Sequence, residues 1–176
     1  PGGAAPSGSR RLPPPAGEDP RIDLVEARAA AALSDFHRQL AVAERAATRA
    51  ELAGSRSILA RARFEQGGAQ RKLGDSTGAA GRFEVARRLA GDLGDRAFVA
   101  SVAQSLANLE QSRGDFARAE RLFEEARATF EAVGNRRRAA RVRAKGRSGG
   151  SRTVLAGGVD RVGRTARQSD LHESPR

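Results

Sequence analysis

The chain has 176 residues, enough for one ordinary domain, and its 32 Lys and Arg against 21 Asp and Glu leave a formal net charge of +11. It holds no Cys, which excludes disulfides, a thiolate metal site and a Cys nucleophile. The longest apolar run, AAAAL at 29–33, is far too short to span a bilayer, and the first 20 residues lack the apolar core of a signal peptide, so a cytoplasmic, membrane-free setting is expected.

Residues 1–20, PGGAAPSGSRRLPPPAGEDP, read as a disordered Pro- and Gly-rich linker with a short polyproline stretch at 13–15. No Met occurs, even at position 1, so the sequence is expected to be a trimmed or partial one. From 21 to 174 there is no Pro, and the composition is dominated by Ala, Arg, Glu and Leu, all strong helix formers. Residues 21–146 are therefore expected to form an all-α domain, followed by a disordered basic tail at 147–176.

Within that domain the chain repeats itself. Laying KLGDSTGAAGRFEVARRLAGDLGDRAFVA on SRGDFARAERLFEEARATFEAVGNRRRAA at an offset of 40 pairs Gly74 with Gly114, Asp75 with Asp115, Ala79 with Ala119, Phe83 with Phe123 and Ala86 with Ala126. It also pairs Gly94 with Gly134, and in all gives ten identities over 27 ungapped positions. A fainter copy begins at Asp35, with Glu44, Ala46, Gly54, Arg56 and Ala60 in phase. Self-similarity at a fixed period marks a stack of small identical units, here about 2.5 to 3 of them. Their bounds are about 22–54, 55–94 and 95–134, with a final helix at 135–146.

Each unit reads as a helical hairpin. Phe116, Ala119, Leu122, Phe123, Ala126, Phe130 and Val133 advance by three or four and form one stripe on a helix of about 18 residues. Phe98, Val99, Val102, Leu106 and Leu109 form a second stripe on the helix before it. Between them SRGD offers a Gly for a left-handed helix end and an Asp to cap the next helix, and AVGN closes the unit in the same way. Neither helix can bury its stripe alone, so stacked units share an elongated core, a solenoid. Unit two carries Gly67, Gly68, Gly78, Gly81 and Gly91 inside its helices and is expected to be softer, at up to about 1 kcal/mol per Gly.

These residues resemble the tetratricopeptide repeat family. Unit three presents Leu106, Ala107, Gly114, Asp115, Phe116, Ala119, Phe123 and Ala126 in that family's order and spacing, and unit two Gly67, Gly74, Asp75, Ala79, Phe83 and Ala86. Unit one keeps Ala27 and Ala46. The sequence departs from the family where Ala103 and Glu110 replace large aromatics, and no Pro ends the second helix. The 40-residue spacing resembles the longer variant seen in arrays of large bacterial transcriptional and signalling regulators. The resemblance implies a protein-binding scaffold, not an enzyme, whose first helices line a groove for a partner peptide or helix.

On the first helix of unit three the groove candidates are Ser101, Gln104, Asn108 and Gln111, whose side chains can hydrogen-bond an extended backbone. Their equivalents in unit two are Arg61, Phe64, Gly68 and Arg71. An alternative reading binds nucleic acid or another polyanion through the basic run at 136–147, formed by Arg136, Arg137, Arg138, Arg141, Arg143, Lys145 and Arg147. No stacking aromatic interleaves that run, and no recognition-helix or zinc motif accompanies it. The two histidines, His37 and His172, have no second His or Cys nearby in sequence, and LAGGVDRVGR at 155–164 lacks the Lys-Ser/Thr pair of a phosphate loop. No catalytic constellation, metal or cofactor is expected.

Overall fold

The computed structural model describes residues 19–146. The proline stretch at 13–15, most of the linker, Arg147, His172, the 155–164 segment and the basic tail lie outside the described residues. Helices α1 (Pro20–Ala32), α2 (Phe36–Leu52), α3 (Arg56–Lys72), α4 (Ser76–Asp92), α5 (Arg96–Arg113) and α6 (Phe116–Ala132) follow one another, and α7 covers 136–146. There is no strand among the described residues. The protein is an all-α helical array in which each helix packs on its chain neighbours, α1 also touching α3 and α3 touching α5.

The regularity has a local cause, and its period is half of what the sequence echo suggests. Ser34, Gly54, Gly74, Gly94, Gly114 and Gly134 stand 20 residues apart, and all have positive φ, from 60° to 91°. At each turn the next N–H reaches back five residues: Asp35 to the Ala30 carbonyl, Ser55 to Ala50, Asp75 to Gln70, Asp95 to Ala90, Asp115 to Glu110 and Asn135 to Phe130, all at 2.8–3.0 Å. This is the bonding of a Schellman end, which satisfies carbonyls that the helix leaves open and needs a left-handed residue at the bend. The same Asp or Asn then caps the following helix. Asp75 accepts from the Gly78 N–H at 2.8 Å, Asp95 from Phe98 at 3.0 Å and Asp115 from Arg118 at 2.9 Å. Ser55 occupies the equivalent place without a side-chain cap bond.

The core is built from small residues around a few rings. Ala79, Phe83 and Ala86 of α4 meet Val102, Leu106 and Leu109 of α5, and Ala119, Phe123, Ala126 and Phe130 of α6 meet Ala100, Ala103 and Ala107 of α5 with Ala139 and Val142 of α7. The expected α6 stripe is realised except at its ends. Phe116 is half-buried, and Val133, at the helix end rather than on the stripe, is 38% exposed. Two of the unit-two glycines also have a use. A Cβ on Gly67 would stand 2.8 Å from the Phe83 ring, and one on Gly78 would strike the capping Asp75 carboxylate. Glycine at 67 lets α3 close on Phe83, whereas Gly81 and Gly91 face open space.

Buried carboxylates tie the two helices of a hairpin to each other. Asp23, 2% exposed, accepts from Arg45 and Arg49 of α2, both at 2.8 Å. Glu110, one of the two departures from the repeat pattern, is 3% exposed and stands 3.4 Å from Arg113 and 3.6 Å from Arg118. Ala103, the other departure, is fully buried against α6.

Candidate functional site

The first helices of successive hairpins share one face of the array, and between them lies a hollow of about 540 Å³. Arg28 of α1 borders it at one end, Arg61, Phe64 and Glu65 of α3 come next, and α5 contributes Phe98, Ser101, Gln104, Ser105 and Asn108. The far wall is α7, through Arg138, Arg141 and Lys145. Two residue sets that the sequence offered as rival sites thus border the same groove: polar Ser101, Gln104 and Asn108 with Arg61 and Phe64, and three of the basic run.

The remaining sequence candidates lie elsewhere. Gly68, Arg71 and Gln111 are half-buried and do not line the hollow. Arg136 and Arg137 are exposed and line neither this hollow nor the second one. That second hollow lies at the end of the array, where Arg143 joins Glu120, Phe123, Glu124, Arg127, Val142 and Gly146. The basic run is therefore dispersed over several surfaces, since its cations fall at spacings that do not share one side of a helix. Glu124 and Glu125, adjacent in sequence, separate in the same way. Glu124 pairs with Arg127, which holds its carboxyl below the ordinary value, and Glu125 pairs with Arg87 of α4 at 2.6 Å.

Aromatic rings form the floor of the groove. Phe64 lies between Phe83 and Phe98, with ring centroids 5.5 and 5.4 Å away, the latter pair edge to face. The Arg61 guanidinium covers the Phe98 ring at 4.8 Å and reaches Asp95 at 3.2 Å. Both groove carboxylates are internally paired. Glu65 accepts from Arg28 at 3.1 Å and from the Gln39 amide at 3.1 Å, while Asp95 holds Arg61 and caps α5. On α7, Arg138 donates to the Ser101 hydroxyl at 2.7 Å and lies 5.6 Å over the Phe130 ring. Arg28 and Arg61 thus pair with Glu65 and Asp95, and Arg138 and Arg141 of α7 add positive charge to the same lining.

Sequence reasoning missed Arg28, Glu65, Phe98 and Ser105 as groove residues. The 40-residue register contained a signal for two of them, since Ser105 aligns with Glu65. Among the described residues no group of three or more His, Asp or Glu could hold a metal, and no helix is long and apolar enough to cross a membrane.

No protein-family model matches the chain, and no curated protein matches it. Among solved structures it is similar to the crystal structure of BtubC (BKLC) from P. vanneervenii, with a TM-score of 0.56 over 89% of this chain and 67% of that one, at 19% identity. At that identity the likeness is one of fold: both chains are helical proteins that follow the same path.

Proposed function

We propose that this protein is a non-enzymatic scaffold of the tetratricopeptide type that binds an acidic peptide segment along the groove of α1, α3, α5 and α7. The observation that carries the reading is the groove's unbalanced charge: Arg138 and Arg141 come on top of the Arg28–Glu65 and Arg61–Asp95 pairs. Gln104 and Asn108 add amide groups able to bond an extended backbone, and the Phe64 and Phe98 rings offer apolar contact beneath. The 40-residue spacing supports reading it as the recognition module of a larger regulatory protein.

Complementary charge steers encounter and sets specificity, while the amides and rings provide contacts that salt does not screen. The test is fluorescence anisotropy with a labelled acidic peptide against its neutral counterpart. Preference for the acidic peptide is expected, with about tenfold weaker binding for Arg141→Glu, or about 1.4 kcal/mol. Asn108→Ala should weaken it further with the fold intact by circular dichroism. Equal binding of both peptides would refute the reading. Tighter binding of a single-stranded oligonucleotide, with affinity falling steeply in salt, would instead favour a phosphate polymer.

A further inference from the structure

Neighbouring first helices meet at a constant offset along the groove. Arg28 reaches Glu65, the Arg61 guanidinium covers the Phe98 ring and Ser101 accepts from Arg138, and in each case the two residues are 37 apart. Stacked copies of one repeat keep one register, so the same step places Arg141 across from Gln104 and Lys145 across from Asn108. All four line the hollow.

What stands across from each cation changes along the groove. Between α1 and α3 it is the Glu65 carboxylate, and between α3 and α5 it is a ring, with Asp95 3.2 Å from the same guanidinium. Between α5 and α7 it is a hydroxyl and an amide, those of Ser101 and Gln104. The carboxylates of the lining, Glu65 and Asp95, are both engaged nearer α1, so positive charge collects at the α7 end.

Arg138 and Arg141 are three positions apart on one helix, so their side chains are neighbours. Arg138 is held in place: it donates to Ser101 at 2.7 Å and lies 5.6 Å over the Phe130 ring. Ser101 in turn donates to the Ala97 carbonyl at 2.9 Å, which leaves its oxygen as the acceptor toward α7. Two cations beside a neutral amide donor suit a ligand group with two negative charges. A carboxylate brings one and leaves an arginine unmatched. A phosphomonoester brings about −1.5 to −2 charges and three acceptor oxygens, enough for both guanidinium forks and the Gln104 amide.

We propose that the groove between α5 and α7 is a phosphate subsite, formed by Arg138, Arg141 and Gln104, that takes a phosphorylated Ser or Thr side chain of the bound peptide. The inference rests on the peptide-binding reading of the groove and narrows it, from an acidic segment to one that carries a phosphomonoester.

Three labelled acidic peptides that differ at one residue, Ser, Glu or phosphoserine, test this by fluorescence anisotropy on the full chain. The phosphoserine form should bind about tenfold more tightly than the Glu form, because it also matches the second arginine. Arg138→Gln and Arg141→Gln should each bring that ratio close to one, with helix content unchanged by circular dichroism. Arg141→Gln carries the test alone if loss of the Arg138 contacts loosens α7. Arg137→Gln removes the same charge from a residue of α7 that lines neither hollow, and should leave the ratio as it was. Inorganic phosphate should displace the phosphopeptide only far above the phosphopeptide's own Kd. Equal affinity for the Glu and phosphoserine forms overturns the proposal and leaves the groove reading in place, whereas acidic peptides that bind no tighter than a neutral one remove both. A fall in the ratio for Arg137→Gln as large as for Arg141→Gln also overturns it, by showing diffuse attraction. So does displacement by inorganic phosphate or a single-stranded oligonucleotide as effective as by unlabelled phosphopeptide, which would assign the arginines to a free phosphate or a phosphate polymer.

Discussion

Replacing glycine with alanine at two places in the second hairpin should move stability in opposite directions. Gly81 lies mid-way along α4, and nothing stands within 4 Å of where its Cβ would be. Alanine there adds no contact and removes glycine's excess unfolded-state entropy, a gain of about 0.5–1 kcal/mol. At Gly67 the added Cβ would stand 2.8 Å from Phe83 Cδ1 and Cε1 and 3.1 Å from the Ala79 carbonyl oxygen. Phe83 is 1% exposed, so the ring cannot swing into solvent, and α3 and α4 would have to separate. Overpacking of that kind costs about 1–3 kcal/mol, which outweighs the helix-propensity gain and leaves a net loss of up to about 2 kcal/mol. For a domain of this size each kcal/mol shifts Tm by roughly 3–5 °C. Thermal melts followed by far-ultraviolet circular dichroism should therefore rise a few degrees for Gly81→Ala and fall by several for Gly67→Ala. Equal stabilisation by both would refute the close approach of α3 to Phe83 and the division of these glycines into required and dispensable ones.

Two further tests address the turns and the charges. Asp115→Ala removes the cap on Arg118 and should cost about 1 kcal/mol in urea denaturation, whereas Ser55→Asp supplies the cap bond that α3 lacks and should stabilise by a similar amount. Glu26 is held below its ordinary pKa, chiefly by its hydrogen bond from Arg38 and also by Arg45. The stability it contributes is therefore complete above the unfolded carboxyl value and disappears as pH falls through the lowered native one. Carboxyl NMR titration should show Glu26 titrating below an ordinary Glu, and Arg38→Gln should move it back up.

How much was legible in the sequence followed from how local each determinant is. The Gly–Asp pairs announced turns correctly because a left-handed bend and an N-cap involve only a few adjacent residues. The stripe through Ala119, Phe123, Ala126 and Phe130 was readable because helical period alone puts these residues on one side. The 20-residue period was also in the sequence, in Gly54, Gly74, Gly94, Gly114 and Gly134. The stronger 40-residue echo masked it, because alternate helices share few identities outside their turns.

The groove was not legible in the same way. Arg138 and Ser101 are 37 residues apart, and their bond exists only because α7 docks on α5 and α6 through Ala139 and Val142. Nothing in the basic run itself distinguishes Arg141, which lines the groove, from Arg143, which joins the terminal hollow. Gly67 likewise looked like a flaw in a helix until Phe83 of the neighbouring helix was seen against it. The amino-acid sequence by itself determined where the helices begin, where they turn and which side of each is apolar, since those depend on backbone conformation and helical period within a few residues. Only the tertiary structure decided which cations converge with Gln104 and Asn108 and which carboxylates are buried beside arginines, because those depend on residues that packing brings together from different helices.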